Sequence, residues 1–306
     1  VVLELGVNPA EWTVDRAREA LGGAVEYWQR WSGKLKFHGT RADREKPLFD
    51  DISEFPSIHY ARPGRRHRYA WAMTAPHGWF LFDGMVRYDL ETGAITLEAT
   101  NPSDVLTWMT DNNFVVRAAT AFDGKSGASI VRVRDAADKP WRDLVVMPFE
   151  RALFAGEVVG GSLIAGFDPD GKSLIIQSAL NSDKGRLVRV NLSDGNESGV
   201  LAQDQECDVA SKGLGDEPSV LRDPVTHAIQ AVEFNYSTSH WVFLDGKVQA
   251  DFAFIGERVP GFLDLISRDR GDRKWILAAH RSDAPTTYYL FDRDAKKLSR
   301  LDDEYP

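Results

Sequence analysis

One strand-turn-strand phrase returns five times along this chain and constrains its fold more than any other feature. It reads VRYDLETGAITL at Val86–Leu97, VRVRDAADKPWRDL at Val131–Leu144 and VRVNLSDGNESGVL at Val188–Leu201. It returns as VFLDGKVQADF at Val242–Phe252 and as YLFDRDAKKLSRL at Tyr289–Leu301. Each copy alternates apolar and polar residues, turns on Asp, Asn or Gly, and alternates again, the pattern of a half-buried hairpin. Between the turns near Asp89, Asp135, Asn191, Asp245 and Asp292 the steps are 46, 56, 54 and 47 residues. Hairpins recurring at about 40–50 residues predict propeller blades. The expected fold is all-β, a β-propeller or incomplete blade array of about 5–6 blades, with an N-terminal helical appendage.

That appendage is the one stretch with helical periodicity. Val14, Ala17, Leu21, Ala24, Val25, Trp28 and Trp31 recur at helix spacing, with Thr13 placed to cap the start and Gly33 to end it. Pro47, Pro56 and Pro63 mark a polar linker after it. The expected domains are therefore 1–35 as helical appendage, 36–84 as linker and first strands, and 85–306 as propeller blades.

Charge and cysteine usage exclude several functions. The formal net charge is −9, and Arg62–Arg68 is the only dense basic cluster, so a nucleic-acid partner is not expected. Cys207 is the single cysteine, which rules out an intramolecular disulfide and a thiolate metal cluster. No window approaches the roughly 18 apolar residues of a membrane span. The chain opens Val1-Val2 with no basic segment and apolar core, so the default location is cytoplasmic. Sequons at Asn191, Asn196 and Asn235 are read as chance matches in the absence of a secretion signal.

Catalytic patterns fail one by one. Gly166–Ser173 satisfies G-x-x-x-x-G-K-[ST], but Asp168 and Asp170 would repel a phosphate, Pro169 has no N–H, and a strand-like run follows where a helix is needed. The stretch reads as a turn. Gly160–Ile164 misses the last glycine of a nucleophile elbow. His38, His59, His67, His77, His227, His240 and His280 form no H-x-H or H-E-x-x-H pair, although ligands from separate blades could converge in space. No catalytic, cofactor-binding or metal-ligating residue is assigned, and no cofactor is expected.

The stretch from about Met85 to Leu301 resembles the propeller domain of the prolyl oligopeptidase family, in its bacterial dipeptidyl aminopeptidase and acylaminoacyl-peptidase branch. VRYDLETGAITLEATNP, TDNNFVVRAA, FDPDGKSLII, GRLVRVNL, RDPVTHAIQAVEFNY, SRDRGDRKWILAA and TTYYLFDRDAKKLSRL carry the likeness. The resemblance implies a module that gates peptide access to a Ser-Asp-His hydrolase domain. That domain would begin near Asp302–Pro306, so a truncated, non-catalytic module is expected from these residues. A peptide or protein is the expected partner, and the oligomeric state is open.

Residues 36–93, through ISEFPSIHYARPGRRHRYAWAM and FDGMVRYDLETG, resemble carotenoid and lignostilbene cleavage oxygenases. This second resemblance implies a propeller holding ferrous iron with four histidines, but the ligand-bearing segments are not recognisable here. Residues 10–35 resemble a helical segment of glucoamylase-like glycoside hydrolases. The two propeller resemblances overlap at Arg87–Gly93, so the sequence reads as a mosaic with a seam at Tyr88–Gly93, whether natural, fragmentary or artificial. Iron-dependent dioxygenase and structural interaction module stand as the alternatives to the peptidase module.

Overall fold

A computed structural model describes residues 53–57, 67–74, 82–151, 163–212 and 217–304. The chain divides into two compact units, 1–103 and 104–306. The first unit holds one antiparallel meander, Ser53–Ser57, Tyr69–Thr74, Gly84–Asp89 and Ile95–Thr100 (β1–β4). The second opens with Val105–Thr110, Val116–Phe122, Ser129–Val133 and Arg142–Met147 (β5–β8), then Ile164–Phe167, Ser173–Ser178, Arg186–Asn191 and Glu197–Ala202 (β9–β12). A small ladder pairs Ser211–Lys212 with Glu217–Pro218 (β13, β14). Val220–Arg222, Ile229–Asn235 and Ser239–Phe243 (β15–β17) form a three-stranded sheet. Phe262–Arg268, Lys274–Arg281, Ala284–Asp292 and Lys297–Asp303 (β18–β21) close the series. Five sheets of three or four strands in sequence order make this the all-β blade array that the hairpin phrase predicts. The expected helical appendage over 1–35 lies outside the described residues.

Four of the five phrase copies land where expected, on the hairpins β3–β4, β7–β8, β11–β12 and β20–β21. Their turns are fastened by carboxylates. Asp89 Oδ1 accepts from the amides of Glu91 at 3.0 Å and Thr92 at 3.2 Å, while Gly93 takes the left-handed φ of +76° that the reversal requires. Asp292 Oδ1 receives the amide of Ala295 at 3.0 Å in the same way. The proposed seam at Tyr88–Gly93 therefore falls inside a single continuously paired sheet.

The side-chain hydrogen bond from Arg68, helped by the turn amides, holds the Asp89 carboxyl at about 2, below its ordinary 3.8. Ser126 lowers Asp123 and Lys274 lowers Asp292. Each group binds its proton less readily when folded, so the turn contributes fully above its unfolded value and loses that contribution as pH falls through the folded one. Carboxyl-resolved NMR should place the Asp89 midpoint at about 2 and move it upward in Arg68→Ala. An unshifted midpoint in that variant would remove Arg68 as the cause.

The fourth copy departs from expectation. Val242–Phe252 reads as strand, turn and strand, yet β17 ends at Phe243 and a helix, Gly246–Gly256 (α1), follows. Asp245 is its N-cap, accepting from the amides of Lys247 at 2.8 Å and Val248 at 3.3 Å. Val248, Phe252 and Ile255 fall at i, i+4 and i+7 and form one helical face, while Val248 and Phe252 also fit the alternation of a strand. Burial of that face on two sheets decides between the readings.

In the second unit, three apolar clusters among the described residues each join consecutive sheets. Val131 and Met147 meet Leu174, Ile176 and Val188. Ile175 and Leu187 meet Val232 and Phe234. Leu221 and Ala231 meet α1 and then Trp275, Leu277 and Phe291. Alternate residues of β10 serve two clusters, which is why SLIIQS is buried along its whole length instead of on one face.

Candidate functional site

Helix α1 borders a cleft that brings convergent rings and polar groups together. Its buried face packs on Leu221 and Ala231 of the β15–β17 sheet and on Leu263, Trp275 and Phe291 of the β18–β21 sheet, so it acts as a wedge between them. Beside the wedge lies a cleft of about 1080 Å³. Trp241 and Phe243 of β17, Phe252 of α1, Phe262 and Asp264 of β18 and His280 of β19 contribute to its walls.

The rings are ordered as a ladder. Trp241 and Phe262 stack with centroids 6.0 Å apart and planes 13° from parallel, and Phe262 continues onto His280 at 6.4 Å and 25°. Such pairs contribute roughly 0.5–1.5 kcal/mol each beyond their buried area. Trp241 Nε1 donates to the carbonyl of Leu263 at 2.8 Å, which fixes the indole across the gap between the sheets. Gly261 enters β18 at φ +106°, where a Cβ would collide with the His280 carbonyl, so this close approach needs glycine.

Polar groups frame the rings. Glu233 pairs across the strand with Trp241 and accepts from Ser219 Oγ at 2.7 Å. Arg281 is clamped by Asp283 through Nε at 2.9 Å and Nη2 at 2.8 Å, which leaves the Glu233 carboxylate as the wall's acidic group beside the rings. Behind the wedge, Asp251 takes Arg293 at 2.8 Å and also pairs with Lys296, and Arg293 lies 4.4 Å over the Trp275 ring. These groups can hold an extended polar chain and stack a planar or cationic side chain.

Of the catalytic and metal-ligating groups weighed in the sequence, His240 and His280 reach the cleft and the others described do not. Gly166–Ser173 is the β9–β10 turn, with the Asp168 amide donating to Ser173 O at 3.0 Å and the Asp168 carboxylate held by Arg189 Nε at 2.8 Å, so the phosphate-loop match is a hairpin. Burial, together with Asp204, pushes the Cys207 thiol up, away from thiolate chemistry. His240 and His280 line the cleft, and His240 Nε2 lies 3.2 Å from Asp204 Oδ2. His38, His59, His77, Trp28, Trp31 and Arg62–Arg66 lie outside the described residues. Among the described residues no three His, Cys, Asp or Glu side chains gather to hold a metal. No described helix is long and apolar enough to cross a membrane.

Consecutive antiparallel sheets with a cleft between two of them define a propeller-type fold. The described blades agree with the likeness to prolyl oligopeptidase-type propellers. Over 215 residues the chain is 26% identical to dipeptidyl aminopeptidase BIII of Pseudoxanthomonas mexicana, covering 70% of this chain and 29% of that protein. The chain thus spans less than a third of that relative. A puromycin-hydrolyzing peptidase of Mycobacterium tuberculosis superposes with a TM-score of 0.53 at 14% identity, over 90% of this chain and 43% of the other. A puromycin hydrolase mutant complexed with PGG gives 0.51 at 16% identity, over 85% and 40%. At those identities the structures speak for the fold. The family model described as retinal pigment epithelial membrane protein matches residues 11–146, in keeping with the oxygenase resemblance of 36–93.

Sequence reasoning missed the cleft because its residues are scattered over the β15–β17 and β18–β21 sheets and α1. The usable signal was Trp241, an aromatic opposite Glu233 just before a phrase that fits helix as well as strand.

Proposed function

We propose that these residues serve as the non-catalytic, substrate-gating propeller module of a prolyl-oligopeptidase-type serine peptidase, with a peptide as partner. The supporting observation is the collinear likeness to dipeptidyl aminopeptidase BIII over 70% of the chain. The ring-lined cleft supplies a surface suited to peptide, and the sequence carries no nucleophile elbow. On this reading 85–306 carry the module and 1–35 stand as an appendage.

The purified chain should cleave Ala-Ala-p-nitroanilide no faster than buffer does. Hydrolysis above that background would overturn the proposal. Near-stoichiometric iron in the same preparation would favour the oxygenase reading instead.

A further inference from the structure

The cleft lies along a strand edge that the other blades cover. In the four-stranded sheets the third strand is paired by a fourth, as β11 is by β12 and β20 by β21. Strand β17 is the third of its sheet, and among the described residues it pairs with β16 alone, because α1 replaces the fourth strand. Its register fixes which backbone groups look outward. The Leu244 amide donates to Gln230 O at 2.8 Å, and Val242 and His240 stand opposite Val232 and Phe234. Antiparallel pairing alternates, so the main-chain groups of Ser239, Trp241 and Phe243 face away from β16. Those three residues line the cleft.

We propose that this cleft takes an extended peptide as an added β-strand on the outer edge of β17, with a basic side chain of that peptide laid on the Trp241–Phe262 rings. The inference rests on the reading of this segment as a peptide-handling module. Five residues from Ser239 to Phe243 span about 17 Å at about 3.4 Å each, which suits a peptide of similar length. Main-chain pairing gives affinity and the alternate side chains give selectivity. Charge selects the occupant. Glu233 stands beside Trp241 and Asp283 neutralises Arg281, so the charge beside the rings is acidic. A guanidinium can lie on the rings and fork onto a carboxylate at once.

The test uses the whole chain and a fluorescein-labelled, end-blocked pentapeptide of alternating valine and arginine, read by fluorescence polarisation. Saturable binding is expected. Methylating the amide nitrogens of one alternate set should weaken it roughly tenfold or more through lost main-chain hydrogen bonds. Methylating the other set, which points to solvent, should leave it unchanged. Glu233→Gln should weaken binding, with its unfolding midpoint checked to confirm an intact fold. Replacing arginine with glutamate in the peptide should abolish it. Absence of saturable binding, equal tolerance of both methylation patterns, or equal affinity for the glutamate peptide would overturn the proposal. Nitroanilide hydrolysis would sink the module reading while leaving this polarisation series readable, so the two can fail separately.

Discussion

Replacing Trp275 by alanine is expected to destabilise the second unit by about 3–5 kcal/mol, the usual cost of removing a large aromatic from a packed interior. Trp275 is fully buried. Its ring meets Phe252 at 5.8 Å and Phe291 at 5.8 Å, carries Arg293 on its face at 4.4 Å, and donates from Nε1 to Asp272 at 2.7 Å. The rings around it come from α1 and from the neighbouring strand β20. Urea unfolding followed by far-UV circular dichroism avoids the lost fluorophore and should show a lower midpoint. A loss below about 1 kcal/mol, the scale of an ordinary surface change, would mean that the wedge is not the centre of this interface.

Asp251→Ala is the second large effect, and it acts by stranding charge. The carboxylate is 3% exposed and serves both Arg293 and Lys296. Removing one partner of a buried pair costs about 3–5 kcal/mol, because the remaining charge keeps its desolvation penalty. Arg293 retains Asp272 and Lys296 is half exposed, which places the expectation near the lower end, about 3 kcal/mol. A loss confined to a few tenths of a kcal/mol, the value of an exposed pair, would show that the pin is solvated. Because Arg293 touches both Asp251 and the Trp275 ring, the double variant should lose measurably less than the two single losses together.

The blade hairpins were legible because period-2 alternation and Asp or Gly turns are local properties. Asp89 and Gly93 carry the turn signal within five residues, through the Asp89 carboxylate on the turn amides and the left-handed glycine. Dismissing the phosphate-loop match was equally local, since Asp168, Pro169 and Asp170 carry their own objection. The fourth copy was not legible. Val248 and Phe252 fit both periods, and only Ile255 together with the facing Leu221, Ala231 and Trp275 settles the choice, through contacts distant in sequence. The cleft follows from that choice. Residues as separate as Glu233, Phe262 and His280 share a wall only because the helix holds two sheets apart.

The chain of clusters along the second unit also sets how it comes apart. Cohesion passes from sheet to sheet through links built mainly from adjacent blades, as in a nearest-neighbour array. Loosening one link need not melt the others. Amide exchange should therefore be graded, slowest in β10, whose two faces belong to different clusters, and faster in the outer strands β12 and β21, where Val200 and Leu301 face solvent. A strand added on β17 would slow exchange there first, turning the loosest boundary of its blade into a protected one.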